Sequence, residues 1–146
     1  MGDLAFEDPA VGERLLVVQT TPPALVRIDT SLEDGVPRDE VLETIGLCTN
    51  PNMLVVHRPP DEEWLAFVSC YDANEVAVVA LSTFAVLATI AVGEGANEMA
   101  IDAERRQLYV ANTKESTISI VGLDRSRAGF LRERARLGLG AGSRGS

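Results

Sequence analysis

Residues that commonly carry catalysis or bind metals are scarce in this sequence. Its 146 residues include two cysteines and one histidine, His57, which is expected in a turn. A zinc site draws on several Cys or His ligands, and a Cys-x-x-Cys pair is also missing, so no metal ion is expected within one chain. No Gly-x-Ser-x-Gly elbow accompanies the serines, and one histidine gives no sign of a triad. The sequence therefore predicts no catalytic residue, no metal and no cofactor, and it favours a non-enzymatic protein while leaving that question open.

Long apolar runs are also missing. The longest mostly apolar stretch, residues 76–92, is interrupted by Ser82, Thr83 and Thr89 and is typical of two strands, so no membrane span is expected. Residues 1–8 contain neither the basic nor the apolar segment of a signal peptide, so none is expected in the sequence as written. The localisation is left unknown.

Lysine and arginine are scarce over most of the chain. Residues 1–104 contain 19 acidic and 4 basic side chains, a net charge of −15, whereas residues 105–146 contain 3 acidic and 9 basic ones, a net charge of +6. An acidic body excludes nucleic acid as the main partner. The basic end fits either an acidic surface, including one on a second copy, or a solvated edge that resists aggregation.

What the sequence does contain is an internal repeat. Residues 66–79, AFVSCYDANEVAVV, return as residues 108–121, LYVANTKESTISIV, at an offset of 42 residues, and residues 15–29 form a weaker third copy. Each copy consists of short β-branched segments separated by polar turns. Self-similarity at this period, built from strands, is typical of the blades of a β-propeller.

Each copy divides into four short strands, called a to d in chain order. They are predicted at residues 4–6, 15–19, 25–29 and 41–45 of the first copy, 53–56, 64–70, 76–81 and 84–92 of the second, and 99–101, 107–111, 117–122 and 130–137 of the third. The predicted fold class is all-β, a partial β-propeller of three four-stranded antiparallel blades. One unit at residues 1–140 would hold blades at about 3–48, 49–93 and 94–140. A flexible Gly/Ser-rich tail would follow at residues 141–146.

Three segments resemble the YVTN-type β-propeller repeat. They are LYVAN at residues 108–112 for strand b, ISIV at 118–121 for strand c, and ATIAVG at 88–93 for the outer strand. The resemblance covers nearly all of the chain and is stronger in residues 49–124 than in residues 3–48. The strand-b asparagine of the family is present as Asn112 in the third copy, but Cys70 and Gln19 replace it in the other two.

The resemblance implies a fold and a range of roles. Proteins of the resembled family include surface-layer, periplasmic and secreted binding proteins and the scaffolds of redox enzymes, usually with about six to eight blades. Three blades cannot close such a ring, and each end of the arc would expose an apolar face that is costly to leave in water. The chain is therefore expected to be either a fragment of a longer propeller or half of a six-bladed ring made by two copies.

The two cysteines fall close together in this arrangement. Pairing Val56 with Ala66 in the a–b hairpin of the second copy would put Asn52 opposite Cys70, with Cys48 just beyond on the same loop. A disulfide would form if the loop brings the two Cα atoms within about 7 Å, and it would imply an oxidising compartment. The alternative is a pair of buried free thiols.

The topology also predicts where a ligand would bind. The b–c turns and the crossovers between blades share one rim of a propeller, and loops on a rigid scaffold commonly carry recognition. Asn52 and Asn97 occupy equivalent positions next to the central axis, and Asp72, Asn74 and Lys114 lie in b–c turns. These five are the candidate ligand-binding residues, with turn capping as the alternative for the two inner asparagines.

Three functions fit these observations. The leading hypothesis is a non-enzymatic binding or scaffold module for a protein or small-molecule ligand on this rim. The second is a fragment of a propeller enzyme, lactonase-like or of a quinoprotein or metal redox type, with its catalytic residues on blades absent from this chain. The third is a structural unit that acts by self-association through its open blade faces.

Overall fold

The computed structural model describes residues 2–138, which form strands and turns without a helix. This range accordingly holds no helix capable of crossing a membrane. The predicted tail at residues 141–146, and residues 139–140 of the last predicted blade, lie outside the described residues. The strands are β1 (Leu4–Phe6), β2 (Arg14–Thr20), β3 (Pro23–Asp29), β4 (Leu32–Glu33), β5 (Val36–Pro37), β6 (Glu40–Gly46), β7 (Pro51–His57), β8 (Leu65–Cys70), β9 (Glu75–Ala80), β10 (Ala85–Ala91), β11 (Ala96–Asp102), β12 (Gln107–Asn112), β13 (Thr117–Gly122) and β14 (Glu133–Gly138).

Twelve of the strands in residues 2–138 build three four-stranded antiparallel sheets. Blade 1 contains β1, β2, β3 and β6, blade 2 contains β7 to β10, and blade 3 contains β11 to β14. Spatial order follows chain order in every sheet, and the first strand of blade 2 packs against those of both neighbours. The predicted all-β fold of three four-stranded blades is confirmed.

The two middle strands of blade 2 are buried because a sheet covers each of their faces. All six residues of β8 and five of the six in β9 are buried. A strand covered on both sides needs no polar face, which explains the continuous apolar run of β9. The repeat therefore encodes small apolar side chains where two blades meet.

Two apolar cores hold the blades together, one on each face of blade 2. The core between blades 1 and 2 includes Leu16, Val18, Leu25, Val68, Val79, Leu81 and Phe84. The core between blades 2 and 3 includes Phe67, Val76, Val78, Leu108, Val110 and Val121. Most residues of each core come from strands b and c of the two blades that it joins, so the rigid part of the molecule surrounds those strands.

Two segments differ from their predicted form. No strand was predicted between residues 29 and 41 of blade 1, but β4 and β5 pair there as a small hairpin around Asp34 and Gly35, both at positive φ. The last strand of blade 3 begins at Glu133 instead of residue 130, because Phe130 pairs separately with Gly122 and Leu131 has a φ of 57°. Positive φ interrupts an extended strand, so the regular ladder starts later.

The predicted disulfide is present. Cys48, in the crossover that leads into blade 2, is bonded to Cys70, the last residue of β8, and their Cα atoms are 5.9 Å apart. Cys70 is fully buried. The alternative of two free thiols is therefore wrong, and the bond fixes the crossover to the end of strand b on the candidate rim.

We expect removal of this bond to destabilise the chain without changing its fold. The double variant Cys48→Ser/Cys70→Ser should lose about 3 kcal/mol of unfolding free energy, because the bond closes a loop whose ends are 22 residues apart. Urea denaturation with and without a reducing agent measures the loss. The reductant should shift the midpoint of the natural sequence and leave that of the double variant in place; equal midpoints for the two oxidised proteins would contradict the prediction.

Candidate functional site

Backbone hydrogen bonds join the b–c turns to the crossovers on one rim. The amide of Tyr71 donates to the carbonyl of Asn50 at 3.1 Å, and the amide of Thr113 donates to the carbonyl of Gly95 at 2.9 Å. The amide of Lys114 donates to the carbonyl of Glu94 at 3.2 Å. The same contact thus recurs in blades 2 and 3, and the five predicted ligand-binding residues lie on or next to it.

A β-bulge aims the two inner asparagines. In blade 2 the register changes between Pro51 and Leu54, and in blade 3 it changes between Ala96 and Met99. Each bulge leaves two residues opposite one, and the first of the two is Asn52 in blade 2 and Asn97 in blade 3. Bulges redirect side chains and are frequent beside binding sites. The repetition of this bulge shows that the sequence holds both asparagines in the same special geometry.

The bulge corrects one predicted pairing. Val56 does pair with Ala66, as expected, but Cys70 lies opposite Pro51 and not opposite Asn52. The extra residue of the bulge shifts the register by one. The alternation of apolar and polar residues in the sequence gave no sign of this bulge. The amide of Met53, inside the bulge, donates to Ser69 Oγ at 3.0 Å, so this irregular backbone has its own partner.

The side chains of Asn52 and Asn97 meet across the gap between blades 2 and 3. Asn52 Nδ2 donates a hydrogen bond to Asn97 Oδ1, and both residues are half-buried. Within residues 2–138, Asn52 Oδ1 and Asn97 Nδ2 make no other side-chain hydrogen bond. The pair therefore presents an acceptor and a donor side by side, which matches the donor and acceptor of an amide group.

Blade 1 completes this inner edge with different residues. Its position equivalent to the two asparagines is Gly2, where a Cβ atom would lie 2.5 Å from the carbonyl oxygen of Asn52. The next residue, Asp3, accepts a hydrogen bond from the amide of Leu54 at 3.1 Å. Blade 1 is thereby held close to the amide pair, and the glycine allows its backbone to approach the carbonyl of Asn52 at a distance that a Cβ atom would prevent.

Asp72 and Lys114 form a charged contact between the b–c turns of blades 2 and 3. Lys114 Nζ lies 3.6 Å from Asp72 Oδ1 and 4.7 Å from the ring centroid of Tyr71. Both charged side chains are about half exposed, so the pair is screened by solvent and contributes little to stability. It is free to exchange its internal contact for one with a ligand.

Asn74 has a structural contact as well as a place on the rim. Its φ is 55°, and its Oδ1 accepts a hydrogen bond from the amide of Gly95 at 3.2 Å. Gly95 itself has a φ of 75°, and a Cβ atom there would lie 2.7 Å from the backbone nitrogen of Lys114. The left-handed turn and the glycine together let the crossover pass close to both b–c turns.

A buried polar cluster in blade 3 lies beside the rim and was missed at the level of sequence. Asn112 donates from Nδ2 to Thr117 Oγ1 at 3.0 Å and to Ser119 Oγ at 2.9 Å. Ser119 Oγ also accepts from the amide of Gly93 and donates to Glu133. Among the three copies, only the third has an asparagine at this position, where the other two have Cys70 and Gln19. That difference was the one sign of the cluster in the sequence.

Glu115 connects this cluster to the crossover. Its pKa is held below the ordinary value of a glutamate, mainly because its carboxylate accepts a hydrogen bond from the amide of Glu94, then because Thr117 donates to it and Arg136 lies close. Arg136 in turn has a raised pKa, chiefly because it donates to Glu133. Glu115 and Arg136 are therefore charged at neutral pH, and their contact helps to fix the rim of blade 3 in place.

The opposite rim holds a separate cavity between blades 2 and 3. It measures about 480 Å³ and its charged lining includes Arg58, Glu62, Arg106 and Arg125. His57 also lines it and, contrary to the expected turn position, is the last residue of β7. Burial lowers the pKa of His57, against a smaller opposing effect of Glu62, so the imidazole is neutral at pH 7. None of the five predicted ligand-binding residues lines this cavity, and residues 2–138 contain no cluster of three or more potential metal ligands.

Comparison with known proteins identifies the fold and no narrower relationship. No protein-family model matches the chain, and no functionally curated protein matches it. Solved structures do match. The hydrazine synthase of Kuenenia stuttgartiensis has a TM-score of 0.69 and 18% identity, with 88% of this chain and 33% of that one covered.

Two further structures give the same result. A dihydro-heme d1 dehydrogenase solved in complex with DHE has a TM-score of 0.74 and 16% identity over 95% of this chain and 28% of that one. A candidate 6-phosphogluconolactonase from Bacteroides uniformis has a TM-score of 0.72 and 16% identity over 94% of this chain and 40% of that one. The chain thus spans between 28% and 40% of the length of these three proteins. It is a three-bladed part of a β-propeller.

Proposed function

We propose that this chain is a β-propeller binding module, related to proteins with the YVTN-type repeat, whose ligand site is the rim described above. The observation that carries the proposal is the repeated bulge, which sets Asn52 and Asn97 side by side with one acceptor and one donor free. A regular strand would serve packing equally well. A bulge kept in two blades at the residue that faces the axis is better explained by a polar contact made there.

The chemistry of the rim suggests a small polar ligand or the end of a peptide. Two neighbouring carboxamides recognise a group that itself carries a donor beside an acceptor, such as a primary amide or a peptide bond. Farther out, Lys114 and Asp72 offer one charge of each sign. The five predicted residues then act together, with Asn74 shaping the turn that presents them.

A propeller enzyme is the second candidate. Its support is that three of the similar structures carry enzyme names, and that this chain spans less than half of each. In that case the rim would be one side of an active site whose reacting groups lie on further blades. At 16–18% identity, a shared fold does not assign a role to any residue of this chain. We therefore prefer the binding module to the enzyme.

Titration with small amides tests the proposed site. We expect the probes acetamide and N-acetylglycinamide to shift the side-chain NH₂ resonances of Asn52 and Asn97 in ¹⁵N–¹H spectra. Replacing Asn52 by alanine should weaken binding about tenfold, because one hydrogen bond to a partly buried group is lost. The control is Gln19→Ala, which removes a carboxamide bonded to the carbonyl of Pro22 in the b–c turn of blade 1 and should leave the affinity unchanged. Equal affinity for the natural sequence and the Asn52 variant, or no shift at the rim at all, would contradict the proposal.

A further inference from the structure

Within residues 2–138, the two outer blades each have one apolar sheet face that no other blade covers. The front face, on blade 1, consists of Leu4, Phe6, Leu15, Val17, Val26 and Ile28. The back face, on blade 3, consists of Ala100, Tyr109, Ala111 and Ile118, which are exposed or half-buried, and of Ile120, which shares this face but is only 8% exposed. Leu4 is 54% exposed and Phe6 is 41% exposed, which is unusual for large apolar side chains on one surface.

The back face repeats a surface that is buried elsewhere in the chain. In blade 2 the equivalent positions, 42 residues earlier, are Phe67, Val76 and Val78, and all three belong to the core against blade 3. In blade 3 they are Tyr109, Ile118 and Ile120. The back face therefore has the composition of a surface that packs against a following blade.

The front face repeats the matching surface. Ala66 and Val79 pair across β8 and β9 and pack against blade 1, and Leu15 and Ile28 form the same pair across β2 and β3. The residue that follows on this face is Val68 in blade 2 and Val17 in blade 1. The chain thus carries both halves of one more blade-to-blade contact and uses neither internally.

Charge also favours contact between these two ends. Within the described residues 2–138, each ion pair between blades 2 and 3 takes its acid from blade 2 and its base from blade 3, as Glu62–Arg125 at 2.7 Å and Asp72–Lys114 at 3.6 Å. At the two open ends of the arc, blade 1 is acidic and blade 3 is basic, so the charges of these two blades are also opposite in sign. Residues 2–46 hold 10 acidic and 3 basic side chains, whereas residues 96–138 hold 6 acidic and 8 basic ones.

We propose that the back face of blade 3 binds the front face of blade 1 of a second copy, and that the contact made twice closes a six-bladed ring. A head-to-tail interface generates a closed assembly when its rotation closes, and two arcs of three blades close about a two-fold axis when each step from blade to blade rotates by about 60°. The occupant is a second copy of this chain because each open face matches the composition of the chain's own inter-blade surfaces. This assembly is independent of ligand binding on the rim.

Light scattering coupled to size exclusion, with sedimentation equilibrium over 1–100 µM, tests the ring. The natural sequence should run at twice its 15.7 kDa mass. Val17→Glu on the front face and Ile118→Glu on the back face should each raise the dissociation constant at least a hundredfold. Val36→Glu is the matched control, since Val36 is equally apolar and 64% exposed but lies in the hairpin of blade 1. It should leave the dimer intact.

The two face variants also report the symmetry. A dimer that joins two front faces, or two back faces, would be broken by one of them and not by the other, and this result would overturn the ring. So would a natural sequence that stays monomeric at 100 µM or forms masses above the dimer. Circular dichroism of each variant at low concentration separates loss of assembly from loss of folding, and an unfolded Val17→Glu can be replaced by Val26→Lys on the same face.

Discussion

Replacing Arg27 by alanine is expected to destabilise the chain by about 3–5 kcal/mol, since it leaves the buried Oε2 of Glu7 and the carbonyl of the buried residue Leu81 without their partner. Arg27 is 4% exposed although it lies in the apolar strand β3. Its Nη1 donates to Glu43 at 2.7 Å, its Nε lies 3.1 Å from Glu7, and its Nη2 donates to the carbonyl of Leu81. Its guanidinium lies 4.4 Å from the ring centroid of Phe84. Urea denaturation measures the effect.

The same arginine joins two blades, which makes the loss larger than that of an ordinary ion pair. Glu7 and Glu43 belong to blade 1, whereas Leu81 and Phe84 belong to the c–d turn of blade 2. Arg38→Ala is the matched control, because Arg38 pairs with Glu33 at 3.0 Å with both side chains largely exposed. It should cost less than about 1 kcal/mol. If Arg27→Ala cost no more than Arg38→Ala, the bridge would have no structural role.

Arg27→Lys separates charge from geometry. Lysine keeps the positive charge but has no planar fork, so it can neither bond Glu43, Glu7 and Leu81 together nor stack on Phe84. We expect it to recover less than half of the stability that alanine loses. Full recovery by lysine would mean that charge alone matters at this position.

Arg27 also shows where sequence reasoning ends. The repeat identified strands b and c of every blade, because β-branched runs between polar turns reflect burial on both faces. The repeat gave no role to Arg27, which lies in the segment Ala-Leu-Val-Arg-Ile. The equivalent residues are Val78 in blade 2 and Ile120 in blade 3. The hydrogen-bond partners of that arginine lie up to 54 positions away in the sequence, so no local pattern contains them.

The candidate site was predictable in part for the same reason. Topology predicted equivalent positions for Asn52 and Asn97, and the structure places their side chains in contact with each other. Their direct contact depends on the bulges, and a bulge inserts one residue without a mark in composition. The polar cluster around Asn112 depends on Gly93, where a Cβ atom would lie 2.5 Å from Asn112 Nδ2, and such a close approach is visible only in three dimensions.

Replacing Phe67 by alanine is expected to cost about 3–5 kcal/mol of unfolding free energy at every protein concentration. Phe67 is fully buried in the core between blades 2 and 3. Its removal leaves a cavity bounded by two sheets that are held by their own hydrogen bonds and cannot close on it. Denaturation followed by circular dichroism gives the value, and Phe67→Leu, which fills most of the volume, should lose clearly less.

Tyr109→Ala is the companion variant, because Tyr109 occupies the same repeat position on the uncovered back face. It is half-buried, and its hydroxyl accepts a hydrogen bond from Gln107 at 2.8 Å. In a single arc its removal should cost about 1 kcal/mol, since part of its ring is already in water. In a closed ring the same side chain would be buried against a second copy, so the loss should grow towards that of Phe67→Ala as protein concentration rises. A small loss of unfolding free energy for Tyr109→Ala that is the same at 1 and 100 µM would show that the back face stays uncovered. A loss that grows with concentration would show that this repeat position is buried in all three blades.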